Sequence, residues 1–331
     1  LDKPKIVYLD LPWGNFEVEN KIFSNIDVEV VVYDPAKTPD ISLLVRDATV
    51  IVNGAKSITE EIINAAPLCE GIVHAGIGVD SIDVSAATKR NIMVANVVGY
   101  CIDEVSDHAL ALLFCSARKV VQGFEVVKRG LWDWTNLTPI HRVRGSILGI
   151  IGFGKLGQAL AVKAKAFGLR CIVFDPFIPK DISSKSGNEF VSLDELCAKS
   201  DYISIHCPLT DQTKNLIGER ELRLMKPNTY IINTARGGII DENALVKALK
   251  AGWISGAALD VTSPEPPDFN HQLFKLANVV VTPHVAFYSE ESLKLLREET
   301  CEAVVRIITN HWPKSIVNPE IKGSPRHQNR R

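Results

Sequence analysis

Long apolar runs are missing from this chain of 331 residues. Runs such as Ser146–Gly152 stop far short of the ~18 residues a membrane-spanning helix needs, so no membrane span is expected. A surplus of one charge is missing too. The 37 Lys and Arg face 39 Asp and Glu, a net charge of −2, which argues against nucleic acid or an anionic membrane held by bulk attraction. No stretch joins a basic start, an apolar run and a small-residue cleavage site, so no secretory leader is expected. The seven cysteines are odd in number, widely spaced and without a C-x-x-C pair. Most lie in apolar runs, which predicts reduced core thiols in a cytoplasmic protein, without disulfides or a metal site.

What is present is alternation. The runs Lys5–Leu9, Val28–Val32, Val50–Val52, Gly71–His74 and Ile92–Val94 read as strands. Glu17–Phe23, Thr59–Ala65 and Ile82–Lys89 read as helices between them. Continuous apolar strands alternating with helices predict a parallel sheet covered on both faces. From Glu104 to Val121 an apolar period, with no Gly or Pro, predicts one long helix. Residues 122–145, with Trp132, Trp134 and three basic residues in His141–Arg144, are less regular and read as an interdomain or interface excursion. Alternation then restarts with strands at Ser146–Ile151, Arg170–Phe174, Tyr202–His206, Thr229–Asn233, Gly256–Leu259 and Val279–Val281. Ser192 with Glu195 forms a capping box, Asp241 caps a helix through Lys250, and a last helix covers about Ser289–Asn310. The polar, basic end Gly323–Arg331 is expected to be disordered on composition.

The strand Ile147–Ile151 runs into Gly152-Phe153-Gly154-Lys155-Leu156-Gly157, followed by a helix. This is G-x-G-x-x-G in its strand–turn–helix context, the dinucleotide fingerprint of a Rossmann domain. Gly152 serves the tight turn, Gly154 a close approach of backbone to a pyrophosphate, and Gly157 the packing of helix on strand. The free N–H groups opening the helix, at Lys155 and Leu156, suit phosphate. Asp175 ends the next strand, 18 residues beyond Gly157. An acid there accepts hydrogen bonds from ribose hydroxyls and repels a 2′-phosphate, so NAD(H) is expected over NADP(H).

Longer strings follow: His206-Cys207-Pro208-Leu209-Thr210, Met225-Lys226-Pro227-Asn228, Asn233-Thr234-Ala235-Arg236-Gly237-Gly238, Ala258-Leu259-Asp260-Val261, Pro264-Glu265-Pro266 and Thr282-Pro283-His284. With Gly76-Ile77-Gly78-Val79-Asp80 earlier, their order and spacing resemble the D-isomer-specific 2-hydroxyacid dehydrogenase family over roughly residues 50–318. Ala164-Lys165-Ala166-Phe167-Gly168 and Tyr288-Ser289-Glu290 are most similar to the branch of the C-terminal-binding proteins, although Phe287 stands where that branch has Trp.

The resemblance implies two doubly wound α/β domains. A Rossmann-type NAD-binding domain, residues 100–289, would be inserted into a flavodoxin-like substrate domain, residues 1–99 and 290–331. It also implies the chemistry, interconversion of a 2-oxo acid and a D-2-hydroxy acid. His284 would be the acid/base, Glu265 its orienting carboxylate, and Arg236 the group that holds and polarises substrate. Amides of Ile77 and Gly78 would hold the substrate carboxylate. Cys207, Pro208 and Thr213 would line the adenosine–pyrophosphate side. Thr234 and Asp260 would reach the nicotinamide end, Asp260 bonding its carboxamide, Val105 would pack on the nicotinamide side, and Ala235 would also contact the coenzyme. Arg236 and His284 would also meet the coenzyme. The family implies a homodimer built through the coenzyme domain. The alternative function, from the C-terminal-binding branch, is an NADH-sensing scaffold. That branch carries a long C-terminal extension, and none follows Lys322 here, which favours the enzyme. No Arg or Lys cluster in the motifs offers itself to a substrate phosphate.

Overall fold

The structure, a computed structural model, describes residues 3–10, 13–38, 40–328 and 330. The chain divides into two compact units. One is Leu1–Tyr100 with Ser289–Arg331, and the other is Cys101–Tyr288.

The first unit begins with β1 (Lys5–Tyr8), α1 (Glu17–Phe23), β2 (Glu29–Val32), α2 (Ile41–Leu44), β3 (Val50–Asn53), α3 (Glu60–Asn64), β4 (Gly71–His74), α4 (Val84–Lys89) and β5 (Met93–Asn96). All strand pairs are parallel, in the order β2-β1-β3-β4-β5. That is the flavodoxin-like order expected above. Strand residues alternate between two cores. Val7, Ile51, Ile72 and Val94 pack with Ile63 and Ala87 on one face. Ile6, Val50, Val73 and Met93 pack on the other.

The second unit holds α5 (Ile102–Ala117), α6 (Val120–Lys128), β6 (Ile147–Ile151), α7 (Lys155–Ala166), β7 (Arg170–Phe174), α8 (Lys180–Lys185), β8 (Glu189–Phe190), α9 (Leu193–Lys199), β9 (Tyr202–Ile205), α10 (Glu219–Leu224), β10 (Tyr230–Asn233), α11 (Glu242–Lys250), β11 (Gly256–Leu259) and β12 (Val279–Val281). Its seven strands run β12-β11-β10-β9-β6-β7-β8, all parallel. The order reverses between β6 and β9, the switch point at which open α/β sheets bind ligands beyond the strands' carboxyl ends. Leu148 and Ile150 face α5 and α7, while Ile151 faces the core under α9 to α11. The chain returns to the first unit through α12 (Glu290–Ile308), whose Val304 and Ile307 join the core of Ile6 and Val73. There Arg297 and Glu19, both buried, form a two-pronged pair at 3.0 and 2.6 Å.

Local signals explain several boundaries. Ser192 and Glu195 complete their capping box, and Asp241 accepts from the amides of Asn243 and Ala244. Two expectations fail. The helix expected over Glu104–Val121 breaks at Lys119, which is left-handed at φ +51°, and α6 starts afresh. Periodicity is blind to this break, because Lys has no turn signature. The tail from Gly323 is not disordered where described. His327 is buried against the Trp312 ring and hydrogen-bonds the Asn91 carbonyl at 2.8 Å. Arg330 reaches the Ile307 carbonyl and pairs with Glu70. Composition counted these residues as polar solvent seekers, but folded carbonyls and one carboxylate give them fixed partners.

Among the described residues, no helix is long and apolar enough to cross a membrane, and no group of three His, Cys, Asp or Glu could hold a metal ion.

Candidate active site

Three neighbouring strands of the second unit deliver the site's reactive side chains from their carboxyl ends. Arg236 follows β10, Glu265 lies in the loop after β11, and His284 follows β12. His284 Nδ1 and Glu265 Oε2 are 2.6 Å apart, a charge-assisted distance once the imidazole is protonated. Glu265 Oε1 accepts from the Thr262 amide at 3.0 Å, which fixes the carboxylate's other oxygen. Burial pushes the Glu265 carboxyl up. The hydrogen bond and charge of His284, the Thr262 amide and Arg236 outweigh that and hold it below its ordinary value. It is therefore ionised at neutral pH and faces the imidazole as a negative charge.

Arg236 sits in a turn that Asn233 braces from both sides. Asn233 Nδ2 donates to the Arg236 carbonyl at 2.8 Å, and its Oδ1 accepts from the Ala235 amide at 3.0 Å. The next residue has to be glycine. A Cβ on Gly237 would stand 2.1 Å from the Thr262 carbonyl carbon, so the Arg236 and Glu265 loops touch backbone to backbone. Asp260 is fully buried. It takes the Thr282 hydroxyl at 2.5 Å and the amides of Val285 and Ala286 at 2.9 and 2.8 Å. The carboxylate expected to reach a nicotinamide thus holds the His284 loop first, with one acceptor direction left over.

At the switch point, Gly152 has φ +89° and a Cβ there would lie 2.6 Å from the Cys207 amide nitrogen. A Cβ on Gly157 would meet the Gly152 carbonyl at 2.2 Å, whereas one on Gly154 meets nothing within 4 Å. The loop is closed against protein and open where a phosphate would lie, beside the unbonded amides of Lys155 and Leu156 that start α7. Asp175 accepts from the Phe153 amide at 2.7 Å and the Phe177 amide at 2.9 Å, which aims its carboxylate along the loop. Thr213 donates to the Pro208 carbonyl at 2.6 Å and ties the Cys207–Pro208 segment into a loop. Burial raises the Cys207 thiol to about 11, so it is a packing group rather than a nucleophile. Thr234 is buried with its hydroxyl oxygen unpartnered. An orphaned hydroxyl, an open glycine cradle and free helix amides together fit a dinucleotide. Val105 is buried on α5. Ile77 and Gly78 belong to the first unit, in the loop after β4, where the Ile77 carbonyl accepts from Asn96 at 2.7 Å.

Sequence reading missed Asn233, Thr262, Thr282 and His108 as working parts. Asn233 carried a signal, since a polar residue ending an apolar strand needs partners once buried. His108 carried another, one turn beyond Val105 on the apolar face of α5. Its Nε2 stands 3.0 Å from Thr282 Oγ1.

Residues 110–286 match the D-isomer specific 2-hydroxyacid dehydrogenase, NAD binding domain, family model. The chain is 36% identical over 330 residues to a glyoxylate reductase of Thermococcus litoralis, covering 96% of this chain and 98% of that one. It is 40% identical over 276 residues to a D-3-phosphoglycerate dehydrogenase of Methanocaldococcus jannaschii, covering 83% of this chain and 52% of that one. The D-lactate dehydrogenase of Aquifex aeolicus, solved with NAD and lactic acid, matches with a TM-score of 0.86 at 28% identity, over 95% of this chain and 99% of that one. The chain therefore belongs to the D-isomer specific 2-hydroxyacid dehydrogenase family, as an NAD-dependent oxidoreductase whose residues 110–286 are that family's NAD binding domain.

Proposed function

We propose that the protein reduces a small, unphosphorylated 2-oxo acid to its D-2-hydroxy acid, with His284 and Glu265 as one acid/base unit. The observation that carries this reading is the 2.6 Å bond between His284 Nδ1 and an ionised Glu265. It leaves Nε2 as the nitrogen that exchanges a proton with the substrate oxygen. NADH, when bound, supplies the hydride. His284 gives its Nε2 proton to the developing alkoxide and takes it back in oxidation. Glu265 stabilises the imidazolium that reduction requires. The Arg236 guanidinium, held by the Asn233-braced turn, pairs with the substrate carboxylate and polarises the ketone oxygen. Ile77 and Gly78 in the first unit would be further substrate-binding residues.

For the coenzyme, Gly152, Gly154, Lys155, Leu156 and Gly157 would hold the pyrophosphate and Asp175 the adenosine ribose. Cys207, Pro208 and Thr213 would flank the adenosine side. Val105, Thr234, Ala235 and Asp260 would serve the nicotinamide end. A cytoplasmic setting is supported by seven free cysteines, five of them buried. A homodimer is supported by the apolar face of residues 120–134, where Trp132 is 90% exposed.

Small substrates are favoured by the relatives that reduce glyoxylate and by the absence of an Arg or Lys cluster in the site motifs. The scaffold alternative, from the C-terminal-binding branch, has no support among the relatives above. The deciding experiment is NADH oxidation with glyoxylate, pyruvate, hydroxypyruvate and phosphohydroxypyruvate. Turnover of an unphosphorylated acid is expected. A marked preference for the phosphorylated acid would overturn the substrate class, and tight NADH binding without any turnover would favour the scaffold.

A further inference from the structure

His284 sits at φ +50°, a left-handed backbone that a non-glycine residue adopts only when its surroundings impose it. Asp260 is what imposes it. Its carbonyl accepts from the His284 amide at 2.8 Å, and its carboxylate takes the next two amides, Val285 and Ala286. The orientation of the imidazole therefore depends on where the Asp260 carboxylate is held.

That carboxylate is itself held through a directed chain. The Thr282 hydroxyl donates to Asp260 Oδ1 at 2.5 Å, which uses its single hydrogen. His108 Nε2, 3.0 Å from the same hydroxyl, must then be the donor. The proton order is fixed as His108 Nε2–H to Thr282 Oγ1–H to Asp260. Nε2 also stands 3.5 Å from Asp260 Oδ1. His108 comes from the middle of α5, a helix buried along Val105, Ala109 and Leu112, so the chain is anchored on a rigid element.

We propose that His108 is a positioning residue for the reaction. Through Thr282 it fixes Asp260, and through Asp260 the left-handed loop that presents His284. The inference rests on His284 being the acid/base, and it adds a second histidine that never touches substrate. In a hydrogen-bonded chain the members act as a unit, so their losses do not add.

The test uses the full chain with four variants. His108→Ala and Thr282→Val break the chain. His108→Gln keeps an N–H donor, and Thr282→Ser keeps the hydroxyl. In reduction of the best 2-oxo acid, kcat is expected to fall about tenfold in each breaking variant, roughly the worth of one lost hydrogen bond in a transition state. His108→Gln and Thr282→Ser should restore most of it, and the double breaking variant should be no worse than the worse single one. In the coenzyme-free protein, hydrogen exchange at the Val285 and Ala286 amides should quicken in His108→Ala and stay slow in His108→Gln. Exchange along α5 should not change. Equal losses in His108→Ala and His108→Gln would reduce His108 to a packing residue and overturn the proposal. So would unaltered kcat and exchange in both breaking variants. If His108→Ala fails to fold, Thr282→Val against Thr282→Ser carries the same comparison. The exchange arm separates the two readings. A near-normal rate in His284→Ala would sink the acid/base reading, whereas slow exchange at Val285 and Ala286 in Thr282→Val would sink this one alone.

Discussion

A carboxylate 2.6 Å from an imidazole does two things at once, and the difference between them is measurable at the scale of single residues. It aims the ring, and it favours the imidazolium. Ketone reduction needs the protonated ring, because the alkoxide takes its proton from it. Glu265→Gln keeps the aim and removes the charge. kcat/KM for reduction should fall, because the imidazolium loses its counter-charge while its orientation is kept, and NADH affinity should hold. An unchanged kcat/KM in Glu265→Gln would uncouple the pair. His284→Ala removes the proton donor outright and should lower kcat for reduction by ~10²–10⁴, with NADH affinity little changed. Asp175 gives the second residue-scale prediction. Its carboxylate is aimed along the glycine loop by the Phe153 amide, and a 2′-phosphate there would meet a negative charge. Measured kcat/KM should favour NADH over NADPH, and Asp175→Ala should narrow the ratio mainly by weakening NADH. A wild-type preference for NADPH would refute the ribose argument.

Elements bring these residues together by letting loops touch. The turn after β10 and the loop after β11 meet where Gly237 faces Thr262, with no room for one more carbon. Gly237→Ala should cost about 1–3 kcal/mol of stability, as overpacking does. It should also push Arg236 and Glu265 apart, and displacement on the scale of 1 Å costs about 10² in rate. A variant with a normal melting temperature and normal kcat/KM would show that the contact yields freely. Much of this arrangement was legible beforehand. Val50–Val52 and Ile147–Ile151 are apolar on both faces, as only a covered parallel strand is. Gly152, Gly154 and Gly157 named their own loop, and the capping residues Ser192 and Asp241 named their helices. The break at Lys119 was not legible, because a left-handed lysine follows from packing and not from a local preference. His108, Thr282 and Asp260 were visible as residues, but their alliance joins α5 to β11 and β12 across more than 150 positions, a distance that no spacing encodes. The tail misled for the opposite reason. Its residues look solvated one by one, and only the folded carbonyls of Asn91 and Ile307 give His327 and Arg330 somewhere to go.

At the scale of the whole molecule, the apolar surface and two histidines held neutral by their surroundings each make a claim about behaviour in solution. Phe124, Trp132 and Trp134 are 61, 90 and 75% exposed on one stretch of chain, a cost in water that a symmetric partner would remove. Sedimentation should give twice 36.4 kDa, and Trp132→Ser with Trp134→Ser should shift it toward the monomer. A wild-type monomer at micromolar concentration would end the dimer proposal. The acid response follows from burial. His206 in the second unit is pushed down to about 4 by burial, with Nε2 on Ser204 and Nδ1 buried without a partner. His327 in the first unit is lowered for the same leading reason, and its Nδ1 already accepts from Arg330 at 3.1 Å. Both rings are neutral when folded. Unfolded, each binds a proton near 6.5, so below that pH the unfolded chain takes up protons that the folded chain refuses. The stability these rings confer is complete above about 6.5 and drains away as pH falls, finishing near 4 for His206. For His206 the full loss is ~3 kcal/mol. Carboxylates held low, Glu265 and Asp201 among them, contribute in a separate and lower window, where they must be protonated. Urea midpoints of the coenzyme-free protein should therefore drop between pH 6.5 and 4, before the carboxylates titrate. His206→Gln should flatten that drop for the second unit and His327→Gln for the first, each lowering the midpoint at pH 7.5 less than it raises the relative stability at pH 5. A wild-type midpoint that holds level down to pH 4.5 would mean that both rings find protons, and room for them, inside the folded protein.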